Sequence, residues 1–464
     1  MVNRGTKKPY MQTIGGSATG VTQSCYMVRF KKYAILLDCG LYQESDIATN
    51  YKKNEKLLKK IKTKEIDYII LHEVHIDHSG LIPALYARGC QAHLYVPCGS
   101  KQFLKLLWED SMKIFTQDCL KLDKSGKKAS PFYTQEDIDR ALSRIIELEY
   151  DWEFKQWEHK INESITLKYI PANHILHACQ IYLDFHDKNI HHRLGFTGDI
   201  GGETPQPYVE PRQTMPYVNL LLGENTYNDP SRRFNKQYDR VKDIAKIVSV
   251  IQQSNRVLIP CFSFGRTQTM LHLLYELWDN ETLPDDIKII VDSPLAQKIC
   301  DIWPWKIEWG NIHFVESWDE SQQLQKQNDK CVIISASGMM NGGRVIEWAK
   351  TILPNPNNTI LFCGYSSENT LATQIRHGNK TINIDGIIVQ NNANIVELVS
   401  FSSHANYEEL MDYYTNQCRY DKIALVHGDM KYKPDFARKL QDKLAEQGKS
   451  SRVICTNEDT KIYF

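Results

Sequence analysis

The stretch Ile69–Gly80 reads IILHEVHIDHSG, setting three histidines, an aspartate and a glutamate at the end of an apolar run. Imidazole and carboxylate are the side chains that hold divalent ions, and such density is unusual for an ordinary core or a solvated loop. Residues two apart share one face of a strand, so Glu73 and His75 can address one ion together. Past the strand end, Asp77 and His78 diverge and can serve a neighbouring position. His72 faces away in that geometry and joins the set only through a bulge. More ligand-type residues follow other apolar runs: His174 in YIPANHILHA, Asp199 in LGFTGDIG and His427 in ALVHGD. Each alone reads equally well as a capping or core polar residue. Together they complete two coordination spheres.

Elements of two kinds must position these residues. The opening third is rich in strands: SCYMVRF, YAILLDCG, IDYIILH and AHLYVP are β-branched or aromatic runs closed by turn residues. Between them the lysines and leucines of DIATNYKKNEKLLKKIKTKE suit a solvated helix, and GLIPALYARG reads as a short helix starting beside the histidine cluster. From about residue 211 strand and helix alternate: RVLIP leads into RTQTMLHLLYELWD, and CVIISAS into GGRVIEWAKTIL. That rhythm signals βαβ units on a parallel sheet. The last seventy residues return to strand, helix and strand. The parse is α/β, with one domain (1–210 and 396–464) interrupted by an inserted α/β domain (211–395).

With 464 residues the chain is too long for one ordinary core. A composition 42% hydrophobic and 24% charged is that of a globular protein, and its zero formal net charge argues against a broadly basic coat for nucleic acid. No apolar run reaches the roughly 20 residues of a membrane helix. The start, MVNRGTKKPYMQTIGG, has no apolar core, so no secretory signal is expected. The twelve cysteines contain no Cys-x-x-Cys pair and sit mostly in apolar context, as reduced thiols of a cytoplasmic protein would.

These segments, taken in order, resemble the β-CASP nuclease branch of the metallo-β-lactamase fold. The resemblance runs essentially end to end: GGSATGVTQSCYMV, ILLDCGLYQ with Asp38, the histidine cluster, NHILHA, FTGDIG, ENTYND with Glu224, IPCFSFGRTQ, VDSPLA, SASGMMNGGR, FCGYSSENTLA, FSSHAN with His404, and LVHGD. It implies an αββα sandwich carrying an inserted β-CASP domain. It also implies a metal-dependent phosphodiesterase acting on single-stranded nucleic acid, with RNA favoured and DNA left open. One ion would be held by Glu73, His75 and His174, the other by Asp77, His78 and His427, with Asp199 bridging. Glu224 and His404 correspond to motifs suited to protonating the leaving oxygen, and Asp38 to a residue that orients ligands. Assembly as a homodimer or within a nuclease complex is compatible with this family.

This chain departs from the family pattern at Glu73, where the family has histidine. Zinc is the expected metal, but a third carboxylate hardens the donor set and tilts preference toward manganese, magnesium or iron. Asn173, His177, Asn369 and Ala372 stand where the pattern has glycine, and Asn406 where it has aspartate. His177 either approaches the site and restores an imidazole, or lies on the surface or behind the ligands. Candidate cations for the substrate rim are Arg232, Arg233, Lys236, Arg266 and Arg344, each equally readable as a surface or helix-end charge. A noncatalytic subunit that binds nucleic acid or a partner nuclease is the alternative function.

Overall fold

A computed structural model describes residues 6–149, 158–232, 236–306, 308–364, 366 and 370–464. The chain divides into two compact units, Met1–Arg233 with Ser403–Phe464, and Phe234–Ser402.

The first unit contains two sheets, each of seven strands among the described residues. In order across the first sheet run Lys461–Tyr463, Thr6–Thr13, Tyr26–Lys31, Tyr33–Leu37, Tyr68–Ile70, His93–Pro97 and Ile145–Leu148. The second runs Arg452–Cys455, Tyr420–Val426, Val218–Glu224, Ile190–Phe196, Cys179–Asp187, Ile165–Pro171 and His159–Asn162. Val28, Phe30, Ile35 and Leu37 of the first sheet share one core with Leu167, Ile181, Leu183 and Leu220 of the second. Fully burying each such side chain contributes about 1.5–3 kcal/mol, so the alternating apolar pattern fixes which faces meet. Helices cover the sheets: Ser100–Lys124 packs on His93–Pro97 and Ile145–Leu148, and Lys433–Glu446 packs on Arg452–Cys455. This is the αββα sandwich.

The second unit is built on a parallel sheet ordered Ile312–Phe314, Ile289–Asp292, Cys331–Ser335, Arg256–Pro260, Thr359–Phe362 and Asn394–Glu397. Its four central strands are buried throughout, which is why they read as continuous apolar runs, while the edge strands Ile312–Phe314 and Asn394–Glu397 are partly exposed. Val257 and Ile259 enter one core with the helix Arg266–Asp279, while Leu258 enters the other with Trp348.

The units divide at 233/234 and 402/403, displaced from the sequence-based boundaries of 210/211 and 395/396. Val218–Glu224 is the reason at one end, because it lies hydrogen-bonded between Ile190–Phe196 and Tyr420–Val426 in the sandwich. At the other, Asn394–Glu397 pairs with Thr359–Phe362 of the inserted sheet. No helix among the described residues is long and apolar enough to cross a membrane, and all twelve cysteines are free.

Candidate metal centre

The histidine cluster is not strand. The strand Tyr68–Ile70 ends early, Glu73 sits in the following loop, and His75 precedes the one-turn helix Ile76–Ser79 that carries Asp77 and His78. Strand alternation therefore does not place Glu73 beside His75; the turn into the helix does, with Glu73 Oε1 3.0 Å from His75 Nδ1. Gly40 makes the turn possible, since a Cβ there would lie 1.5 Å from the Asp77 carbonyl oxygen. Gly40→Ala is expected to destabilise the fold by about 3 kcal/mol, because backbone cannot yield as a flexible side chain does. A drop in thermal midpoint measures it, and an unchanged midpoint would contradict the packing.

Two sets of ligand atoms lie side by side, the atoms of each within 4.8 Å of one another: Asp77, His78, Asp199 and His427 in one, and Glu73, His75 and His174 in the other. Asp199 adjoins both, its Oδ2 3.3 Å from His78 Nε2 and 3.8 Å from His174 Nε2. The structure thus gathers all seven residues inferred from the sequence as ligands. Buried Glu73 Oε2, His78 Nε2, Asp199 Oδ1 and His427 Nε2 have no hydrogen bond. Leaving such atoms without a partner is costly in a protein interior, and a cation among them removes the cost. The electrostatics agree. Burial would push the Glu73 carboxyl up, but His75, His78 and His174 outweigh it and hold it at about 2. Burial disfavours a charged His75, yet Glu73 and Asp77 push it up to about 9. His174, by contrast, is brought down to about 3 by burial and by His404, which suits a neutral ligand. Three carboxylates draw positive charge into the site, and the donors fit divalent ions.

Asp38 lies behind this set. Its fully buried carboxylate accepts from Ser24 Oγ at 2.8 Å and meets His72 Nδ1 at 2.9 Å and His78 Nδ1 at 3.0 Å. Burial raises its pKa, but the two imidazoles hold it at about 2. With Nδ1 bonded to Asp38, His78 presents Nε2 to the ligand set. His72 is not a substitute for the missing histidine. The Asp199 amide donates to its Nε2 at 3.2 Å, so Nδ1 carries the proton given to Asp38 and both ring nitrogens are committed. Gly198, with φ +53, allows this approach, because a Cβ there would meet the His72 ring at 2.0 Å.

Glu224 is fully buried, and its carboxylate accepts from the amides of Ile200 at 2.9 Å and Thr226 at 3.0 Å. Oε1 also meets His404 Nδ1 at 3.2 Å, which leaves His404 Nε2 on the side of Asp199, 3.9 Å from its Oδ2. Thr226, which no sequence pattern singles out, lies 3.0 Å through Oγ1 from His427 Nδ1. The His427 loop is stitched to the GGSATG loop, with the amides of His427 and Gly428 donating to the carbonyls of Ser17 and Gly20.

Two of the residues that stand where the family pattern has glycine adopt a backbone that favours glycine. Asn173 and His177 have φ +55 and +64, and Asn and His tolerate this left-handed region better than most. His177 joins neither ligand set; its ring packs over Gly99, beside Phe103. Asn406 caps the helix Tyr407–Asp412 by accepting from two amides, as aspartate would. Ala372 is buried in the helix Leu371–Arg376, and Asn369 lies outside the described residues.

The candidate cations separate. Arg344 is no open rim charge: it bonds Asp292 at 2.6 Å and the Val315 carbonyl at 3.3 Å, with its side chain 14% exposed. Arg266 opens the helix Arg266–Asp279 and stands near Arg240, whose pKa falls to about 10 through burial and this like charge. Arg232 closes a one-turn helix, Pro230–Arg232, and Lys236 opens the helix Lys236–Gln253. Arg233 lies outside the described residues.

Residues 267–375 match the Beta-Casp domain, and residues 388–451 match the Zn-dependent metallo-hydrolase RNA specificity domain. The chain is 26% identical over 434 residues to Ribonuclease TTHA0252 of Thermus thermophilus, covering 89% of this chain and 92% of that protein. It is 26% identical over 454 residues to the transcription termination factor FttA of Methanosarcina mazei, covering 92% of this chain and 68% of the relative. The crystal structure of a protein of unknown function from Enterococcus faecalis shares the fold, with a TM-score of 0.59 at 13% identity, covering 98% of this chain and 100% of that one. This chain belongs to the β-CASP family of metal-dependent hydrolases built on the metallo-β-lactamase fold.

Proposed function

We propose that the chain cleaves single-stranded RNA with two divalent ions. The carrying observation is that the two ligand sets meet at Asp199, beside a histidine backed by a buried carboxylate. Glu73, His75 and His174 would hold one ion and Asp77, His78 and His427 a second, with Asp199 within reach of both sets, and such ions would supply activation of water and charge stabilisation for attack on a phosphodiester. Asp38 keeps His78 aimed, and Thr226 does the same for His427. Glu224 holds His404 with Nε2 toward the ligand set, so His404 donates the proton to the leaving oxygen while Glu224 positions it. RNA rather than DNA is supported by the ribonuclease relative and by the matched RNA specificity domain. Twelve free cysteines suit a reducing compartment, the cytoplasm.

The test is to incubate the pure protein with labelled single-stranded RNA and DNA, supplying zinc, manganese, magnesium or iron in turn. RNA cleavage that stops on chelation is expected. RNA bound but uncut with every metal would instead favour a noncatalytic subunit.

Glu73→His separates the metals. Exchanging a hard carboxylate for imidazole is expected to tighten zinc binding by about tenfold and to lower manganese-supported activity relative to zinc-supported activity. Titrating each metal against both proteins measures it; an identical metal ranking would remove any role for Glu73 in selection.

A further inference from the structure

We propose a second, separate metal site on the hairpin formed by Cys179–Asp187 and Ile190–Phe196, built from Asp184, His186 and His191 and selective for a borderline transition-metal dication such as zinc.

The register creates it. Across this antiparallel pair His191 stands opposite His186, and Asp184 stands opposite Arg193. Leu183 and Phe185 point into the sandwich core, so Asp184 and His186, on the alternate positions, share the outer face. A ligand atom from each of Asp184, His186 and His191 lies within 4.8 Å of the other two. The imidazoles meet edge to face with ring centroids 4.6 Å apart. His191 Nδ1 sits 3.1 and 3.0 Å from the two Asp184 oxygens, where a cation can replace the proton between them.

The site is rigid and reachable. The strands hold all three residues on paired backbone, and Thr166 Oγ1 fixes the His186 ring at 3.2 Å from Nε2. Side-chain exposure is 12% at Asp184 and 41% at His191, so one side is protein and the other solvent. Arg193 lies 3.6 Å from Asp184 Oδ2 and competes for that oxygen, which leaves Oδ1 for the ion. Two imidazoles with one carboxylate suit zinc, cobalt, nickel or copper and suit magnesium or calcium poorly. Three protein ligands leave a position for water or for a group from another molecule. The site stands apart from the catalytic centre, because His191 and Asp199 flank opposite ends of one strand, roughly 20 Å apart at 3.3 Å per residue.

Zinc titration by calorimetry tests this on the full chain and on His186→Ala, His191→Ala and Asp199→Ala. The wild type is expected to bind one zinc equivalent more than either hairpin variant. Loss of an outer-sphere partner alone weakens metal sites ten- to a hundredfold, so removing a direct ligand is expected to weaken this one by at least about a hundredfold. Asp199→Ala is expected to keep the hairpin equivalent, which separates failure of this site from failure of the catalytic reading. Equal zinc stoichiometry and affinity in the wild type and both hairpin variants, with unchanged melting profiles, would overturn the proposal.

Discussion

Asp199→Ala is expected to lower RNA cleavage by roughly three orders of magnitude or more, about 4 kcal/mol of transition-state stabilisation. The size follows from position. Asp77 and His75 each lie in one ligand set, whereas the Asp199 carboxylate lies 3.3 Å from His78 in the first and 3.8 Å from His174 in the second. Its removal takes an acceptor from both sets and leaves His78 and His427 with one fewer counter-charge. The bond to His72 is kept, because the Asp199 amide rather than its side chain makes it, and a thermal melt of Asp199→Ala separates a folding defect from a catalytic one. Asp77→Ala is expected to cost less than Asp199→Ala, and Asp38→Ala less again, about ten- to a hundredfold, since Asp38 acts through His78. Rates on labelled RNA together with bound metal per chain measure the order. Full metal content with activity within tenfold of wild type in Asp199→Ala would mean that the carboxylate is not shared.

Much of this arrangement was legible in the sequence, for an identifiable reason. The runs RVLIP and CVIIS announce strands because a parallel sheet covered on both faces tolerates no polar alternation, and Arg256–Pro260 and Cys331–Ser335 are those strands. The ligand residues follow apolar runs, so the strand ends announce them too. Illegible was everything decided by backbone leaving a strand. Past Ile70 the chain turns into a one-turn helix, and that turn, rather than strand alternation, brings Glu73 to His75 and sends His72 back to Asp38. Arg344, a candidate rim cation, is instead engaged with Asp292 for a tertiary reason. Its partner Asp292 ends a different strand and also accepts from Trp348 Nε1 at 2.7 Å, and no local pattern encodes that buried pair. Asn173 and His177 looked like losses because glycine is the usual left-handed residue, yet both adopt that conformation.

His404→Ala is expected to slow RNA cleavage by about a hundred- to ten-thousandfold, the range of a general acid. The alternative donor is Glu224, and the geometry decides between them. Both Glu224 oxygens accept backbone N–H bonds in a fully buried position, and although burial alone would push its carboxyl up, His404 holds it below the usual carboxylate range. A carboxylate so held has no proton to give and no path to substrate. His404 has the path, because Nδ1 is bonded to Glu224 while its side chain keeps 16% exposure and Nε2, the nitrogen that would carry the donated proton, lies toward Asp199. Glu224→Gln therefore leaves the donor in place but loosens its hold, since the new amide NH₂ must face the Ile200 or Thr226 N–H. A loss of about ten- to a hundredfold is expected there. A phosphodiester with a nitrophenolate leaving group discriminates: it departs without a proton, so the His404→Ala defect should nearly vanish on it while the Asp199→Ala defect persists. Equal His404→Ala defects on RNA and on the nitrophenyl ester would make His404 a binding or structural residue and leave the leaving oxygen's proton without a source in this chain.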